Sequence, residues 1–489
     1  METNTNQITQ LLEELKDFSP LTSKDEAIEA YEQDVVLKLT PQAVFRPSTK
    51  EELQRIIKAC NKYKVPYTPC GSQTSVTGGS VTDQGILISF EKMNKVLQDR
   101  PCDYDENCRI ISSQPGIILA DFQREVEKIG YYYPPDPTSW EEVQLGGSVA
   151  TNATGENSYH YGSTRNYIQA LEIIDSQGEM KRLEREIDPR TLYRGKNFAG
   201  YEMSGKYLDA WIGSEGSLGL IAEIEVLAIA KPAAFTSLFI FFEQEVEALA
   251  FTCSVNENRE ELNLRCLEIM DHAATELMRE KSDRFQIPPN CCTIYLKIED
   301  LKEEYFESLM ESYEESAQHG KNHFEGSLVA SDHLELLEFR RLRHHIPATI
   351  NEISARNKET GGGKVSSDWW VPLPELQGQF RFLREELSRL PVKAIAFGHI
   401  GNGHPHVNLM PETADQKEAA LEFTKACMRR AAQLGGGVCG EHGLGKIKTW
   451  ALDIQWDEQE INSMRKMKEQ WDPEYLASPG NLFERKNNA

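Results

Sequence analysis

Between Gly398 and Asn408 the chain packs three histidines, His399, His404 and His406, into eight residues, with Gly401 and Gly403 between them. Glycine there permits a tight turn, so the imidazoles of His399 and His406 can point to one place. Further on, Glu441 and His442 stand side by side between Gly440 and Gly443. Two imidazoles and a carboxylate are a normal ligand set for a divalent ion that keeps open positions for substrate. A neutral imidazole near such an ion is also a fit general base. Taken singly, each histidine reads as an ordinary hydrogen-bonded loop residue; their concentration is what favours a metal. A third cluster, Arg340, Arg341, Arg343, His344 and His345, is basic within an acidic protein. An arginine fork donates two parallel bonds to a carboxylate, although the same run also fits a solvated helix face.

Three glycine-punctuated segments carry a different chemistry. Pro69-Cys70-Gly71-Ser72-Gln73-Thr74-Ser75 follows a strand and leads to Gly78-Gly79. Small residues in a row let backbone N–H groups converge on a phosphate, and the hydroxyls of Thr74 and Ser75 can donate as well. The plain alternative is a surface turn. A longer block holds Gly146, Gly147, Gly155 and Gly162 among small polar residues. Structureless loops beyond ~12–15 residues are uncommon in folded domains unless functional. The third segment, Trp211 to Ile221, places its glycines before a strand. Neither G-x-G-x-x-G nor G-x-x-x-x-G-K-[ST] occurs, so a Rossmann or P-loop site is not supported.

The elements that must position these groups alternate helix and strand. Ile8, Leu11, Leu12, Leu15 and Phe18 are spaced as one face of an N-terminal helix, and Leu53, Ile56, Ile57 and Cys60 as another. Strands are expected at VPYTPC, Ile86–Phe90, Arg109–Ser113, Ala170–Ile174 and Ile221–Ala230. Leu119, Phe122, Val126 and Ile129 form a helix closed by Gly130. The pattern is α+β. With 489 residues, more than one folding unit is expected. The reading divides the chain into an N-terminal helical extension (1–35), a nucleotide-binding domain (36–232, ending at Lys231-Pro232), a second domain (233–450) and a C-terminal segment (451–489).

A net charge of −24 argues against nucleic acid or an anionic membrane surface as partner. The ten cysteines form no C-x-x-C pair, which points to reduced thiols and to no iron–sulfur centre of the chain's own. The N-terminus lacks the basic and apolar regions of a signal peptide, and no apolar run is long enough to span a bilayer. A cytoplasmic protein is expected, with at most peripheral contact with the inner face of the membrane.

The three glycine-rich segments, in this order and spacing, resemble the FAD-binding domain of the vanillyl-alcohol oxidase / p-cresol methylhydroxylase flavoprotein superfamily. The two C-terminal motifs are similar to G-H-x-G-D-G-N-x-H and G-E-H-G-x-G of its D-lactate dehydrogenase, glycolate oxidase flavin subunit and D-2-hydroxyglutarate dehydrogenase branch. The resemblance implies an α+β architecture: a two-subdomain FAD-binding domain, a substrate (cap) domain with an antiparallel sheet, and a C-terminal segment returning to the flavin. It implies that Cys70, Gly71, Ser72, Gln73, Thr74, Ser75, Pro135, Asp136, Gly146, Gly147, Asn152, Gly155, Tyr161, Gly162, Glu215 and Ile221 contact FAD. No R-S-x-G-H pattern is present, so the FAD is expected to be non-covalent.

The same resemblance implies that His399, His406 and Glu441 hold a divalent ion, zinc or manganese, and that His442 is the base. It matches Arg343 and Lys364 to the grip on a substrate carboxylate. The implied reaction is oxidation of a small anionic D-2-hydroxy acid to the 2-keto acid, with hydride passing from C2 to flavin N5. Four departures stand out: Ser72 and Gln73 replace glycine, Asn402 replaces Asp, His404 replaces Asn, and Ser478 replaces Asn. An alkyl-dihydroxyacetone-phosphate synthase-like enzyme without net redox is the rival within the fold. A metal-dependent hydrolase is the rival from another class, and it leaves the first two hundred residues without a purpose. A non-catalytic scaffold subunit is a third. Quinone, oxygen, a cytochrome, an electron-transfer flavoprotein and a separate iron–sulfur subunit are all open as electron acceptors, and a homodimer is one candidate assembly.

Overall fold

Leu53, Ile56, Ile57 and Cys60 are buried on one side of helix Lys50–Tyr63, as their spacing predicts. The helix starts where Thr49 accepts a bond from the Glu52 amide at 3.2 Å, a cap whose loss costs ~1 kcal/mol. In this computed structural model, residues 5–22, 26–192, 196–203, 205, 207–232, 234–317 and 323–483 are described. The chain forms two units: residues 1–155, 162–231 and 441–489 make the first, and residues 156–161 with 232–440 the second.

The first unit holds two sheets. In the smaller, the strands run in the order Leu21–Thr22, Ala43–Phe45, Ile86–Ser89, Tyr67–Cys70, and the last three are parallel. The larger sheet is antiparallel and centres on the long strand Gly219–Ala230, flanked by Arg109–Ser113 and Ile168–Asp175. The expected N-terminal extension is not separate: Ile8, Leu11 and Leu15 of helix Thr5–Glu14 and its end join one core with Leu53, Ile56, Ile57, Ile86 and Ile88. Burial of that apolar face, rather than helix propensity, fixes the segment. The C-terminal segment returns to the same unit, where Tyr67 and Leu476 pair and the Ser478 amide donates to Tyr67 O at 2.8 Å.

The second unit is built on a seven-stranded antiparallel sheet. Its centre is the run Phe235–Phe242, Cys292–Glu299, Leu264–Met270, Lys393–Gly398, His406–Met410. The 26-residue helix His333–Lys358 covers a core of Phe239, Phe241, Met270, Phe339, Leu342 and Ile346.

Two boundaries differ from the sequence reading. Residues 156–161 belong to the second unit, and the second boundary falls between Gly440 and Glu441 instead of at 450. The Gly440 amide bonds to Asp368 O at 2.7 Å within the second unit. From Glu441 onward the bonds described below tie the chain to the first unit. No described helix is long and apolar enough to cross a membrane.

Candidate active site

The glycine-rich block is not a loop. Leu145–Thr151 is helical, and Asn152 ends it in the left-handed region at φ 49°. Three of its glycines serve the protein's own packing. A Cβ on Gly146 would sit 2.6 Å from Pro115, one on Gly155 2.2 Å from Asp136 O, and one on Gly162 2.4 Å from Asn166 Oδ1. Gly147 differs: its φ is not positive, and a Cβ there would meet nothing nearer than 3.6 Å. Internal packing therefore gives no reason for glycine at 147, whereas a flat group lying against the backbone does. In the first loop, Gln73 takes φ 54°, and its side chain compensates by donating to Tyr31 O at 2.9 Å. Ser80 Oγ, at the end of that loop, is buried without a partner among the described residues. An open glycine face and an unpartnered hydroxyl beside a run of small residues fit a bound dinucleotide.

Other expected cofactor residues have structural partners in place. Asn152 is paired with Asn197 and accepts from the Arg165 amide at 2.8 Å. Pro135 O accepts from Gln123 at 2.9 Å. Cys70 and Ile221 are buried on strands, and burial pushes the Cys70 thiol up. Tyr161 lies in the second unit, where its ring is 5.7 Å from the Arg265 guanidinium.

Within the first unit, one loop gathers much of the proposed chemistry. Glu215 accepts from the amides of Leu444 and Gly445, both at 2.7 Å. Thr77, two residues past Ser75, reaches His442 O at 3.5 Å, and its own carbonyl accepts from Lys446 N at 3.0 Å. Gly445 is needed for that approach, since a Cβ would lie 2.1 Å from Thr77 O. Asn481 closes the arrangement, donating to Gly79 O and Glu215 O at 2.9 Å each and accepting from Lys446 Nζ at 2.6 Å. The carboxylate of Glu441 accepts from Thr154 Oγ1 and lies 3.1 Å from Lys196 Nζ, which is almost wholly buried. His442 remains about a third exposed, with Nε2 3.9 Å from Glu441. Burial raises the Glu215 carboxyl to about 7, against the lowering effect of the two amides.

In the second unit the three histidines of the turn come together. Ring centroids are 5.3 Å apart for His399 and His406, 4.8 Å for His404 and His406, and 5.9 Å for His399 and His404. Gly398 makes room: a Cβ there would lie 2.7 Å from His406 Cδ2. His399 Nδ1 is 2.8 Å from Glu268 Oε1, and His404 Nε2 is 3.1 Å from Asp368 Oδ1. Clustered imidazoles oriented by carboxylates are the usual surroundings of a bound divalent ion, so this donor set fits one.

Arg343 does not lie on a solvated face. It is buried and bonds Glu268 through Nε and, at 2.6 Å, through Nη2. Glu156 lies 3.9 Å away and is itself paired with Lys297. Burial alone would raise the Glu268 carboxyl, but Arg343 and His399 outweigh it and hold the group far below the usual carboxylate range. Burial, with the charges of Arg343 and Arg340, pushes His344 down to about 4, so this imidazole adds no charge to the cluster near neutral pH. Lys364 Nζ donates to Asn351 Oδ1 at 2.9 Å. Trp369 and Trp370 are buried.

The sequence reading missed Glu268, Glu156, Thr154 and Lys196. The one signal for Glu268 is a glutamate inside the otherwise apolar strand Leu264–Met270. Lys196 carries no local signal.

Comparison with known proteins identifies the family and the fold. Residues 41–184 match the family described as FAD binding domain, and residues 231–482 match FAD linked oxidases, C-terminal domain. The chain is 28% identical to glycolate oxidase subunit GlcD of Bacillus subtilis (strain 168), over 91% of this chain and 89% of that protein. It is 27% identical to a D-lactate dehydrogenase of Anaerostipes hadrus, over 98% of each. The p-cresol methylhydroxylase structure with substrate bound superposes with a TM-score of 0.71 at 12% identity, covering 100% of this chain and 99% of that one, which shows a shared fold.

Proposed function

The chain belongs to the FAD-linked oxidases and is an FAD-binding oxidoreductase of the hydroxy-acid dehydrogenase kind; from that premise we propose that it oxidises a small D-2-hydroxy acid to the 2-keto acid. One observation carries the reading: the Glu441-His442 loop is built into the FAD-binding unit by Glu215, Thr154 and Lys196. An imidazole held in that way has a fixed place and retains solvent access for proton exchange.

When bound, FAD supplies the hydride acceptor and a divalent ion supplies Lewis acidity toward the substrate hydroxyl. Cys70, Gly71, Ser72, Gln73, Thr74 and Ser75, with Gly147 and its neighbours, are the residues that would hold the dinucleotide. His399, His406 and Glu441 would hold the ion, zinc or manganese. His442 takes the hydroxyl proton on its imidazole. Lys364 meets the substrate carboxylate. The Arg343 bonds to Glu268 run from Nε and Nη2, so Nη1 is the edge of that residue available to an anion.

The test is anaerobic. Glycolate and the D and L forms of lactate and 2-hydroxyglutarate are added to the FAD-loaded protein. Loss of flavin absorbance with a D acid or glycolate, and a stoichiometric 2-keto acid, is the expected result. A flavin unchanged by every 2-hydroxy acid would overturn the reading.

A further inference from the structure

We infer that Glu268 is the positioning residue of His399, a buried carboxylate that keeps the ring proton on Nδ1 and so presents Nε2 as a ligand, while Arg343 holds that carboxylate still. The inference deepens the proposal above and rests on it in one respect, that His399 is a metal ligand.

The placement follows from register. Strand Leu264–Met270 pairs antiparallel with Lys393–Gly398, with Ile269 opposite Gly398 and Met270 opposite Phe397. Continued by one residue, that register sets Glu268 opposite His399, at the first residue of the histidine turn. A carboxylate in a strand core is unfavourable unless its oxygens are satisfied. Glu268 has no exposed surface, yet Oε1 is 2.8 Å from His399 Nδ1 and 2.6 Å from Arg343 Nη2, while Oε2 accepts from Arg343 Nε. The two bonds from Arg343 fix the carboxylate, and His399 Nδ1 lies at ion-pair distance from it. An ionised carboxylate only accepts, so the imidazole facing it must carry its proton on Nδ1.

The surrounding charges make the device self-contained. Glu156 pairs with Lys297, whose Nζ also reaches Asn157 Oδ1 at 3.1 Å. Two carboxylates and two cations offset one another, so Glu268 is available to His399 without stranding a charge. The neighbouring His404 is engaged through its other nitrogen, Nε2 on Asp368, and has no exposed surface. Two adjacent imidazoles thus present opposite edges. His399 keeps the Nε2 edge, whereas His404 has that edge turned to a carboxylate and acts as a wall of the turn. Loss of such an outer carboxylate typically weakens metal binding by ~10–100-fold.

The experiment reads metal binding, not turnover. FAD-loaded full-length protein is stripped with a chelator and equilibrated by dialysis against Zn(II) or Mn(II), with bound metal and flavin both measured. The wild type is expected to bind one equivalent. E268M/R343M removes both charges together, so neither partner is left buried alone. Its expected result is unchanged FAD content and a Kd weaker by ~10–100-fold. E268Q/R343M returns a carbonyl oxygen that accepts from Nδ1–H and should recover most of the loss, a rescue that a merely structural role does not produce. If E268M/R343M is not recovered folded, E268D, which draws the carboxylate back from Nδ1, replaces it with the same expected weakening. Wild-type affinity in E268M/R343M or its replacement, or equal Kd values for the Met and Gln forms, overturns the inference alone. A wild type that binds no metal overturns it together with the metal assignment proposed above.

Discussion

Glu215 in the first unit and Glu268 in the second are both buried glutamates, 8% and 0% exposed, and each holds a segment proposed to do chemistry. Their partners make them opposites. Glu215 is met by two backbone amides, and burial lifts its carboxyl to about 7. Glu268 is met by a guanidinium and an imidazole, and is held far below the usual range. Dipoles satisfy the oxygens of a buried carboxylate without cancelling its charge, whereas a full cation does both. The loop proposed to be catalytic is therefore pinned by a group that can take up a proton near neutrality, and the histidine turn by one that cannot.

Substitutions can break or sharpen this contrast. The largest effect is expected at the residue that Glu215's loop carries. His442→Ala should slow flavin reduction by a good substrate ~10²–10⁴-fold, measured by anaerobic stopped flow; a parental rate would remove His442 from the role of base. Glu268→Ala strands Arg343 in the interior and should destabilise the second unit by ~3–5 kcal/mol in urea denaturation. E268M/R343M, with both charges gone, should lie much closer to the parent, and equal losses in the two variants would show that charge is not the cause.

Glu215 gives a smaller effect that depends on pH. Its folded carboxyl titrates near 7, above the unfolded value, so between the two the folded state binds more protons. Its contribution to stability is then fully present below the unfolded value of ~4.5 and is lost as pH rises through about 7. The difference in unfolding free energy between wild type and Glu215→Gln should therefore move by ~3 kcal/mol from pH 4.5 to pH 8, against the wild type. A difference independent of pH would contradict the assigned titration. The smallest effect, ~1 kcal/mol, is expected for Thr49→Ala, which removes only a helix cap and should leave both glutamates as they are.

Much of this was legible before any coordinates. The helix carrying Leu53, Ile56, Ile57 and Cys60, the strand Arg109–Ser113 and the stop at Gly130 are where periodicity and capping put them. The histidine turn and the Glu441-His442 pair stood out as candidates for chemistry because histidines rarely concentrate by chance. The block from 145 to 162 was read as glycine-rich, but its short helix was hidden, since glycine and small polar residues are weak helix formers and this one is fixed by burial of Leu145 and Val149 and by the close fit of Gly146 to Pro115. Arg343 was legible as a cation in a basic run, without any sign of which carboxylate it meets.

Sequence alone determined the elements that carry a clear apolar period and the kinds of reactive group, because backbone preference, residue type and spacing are local properties. Tertiary structure decided the partners: Arg343 meets a glutamate 75 positions away, Lys196 a glutamate 245 positions away, and Glu215 an amide 229 positions away. Burial and pairing set the charge states of Glu215 and Glu268, and both depend on residues that the chain brings together only when it folds.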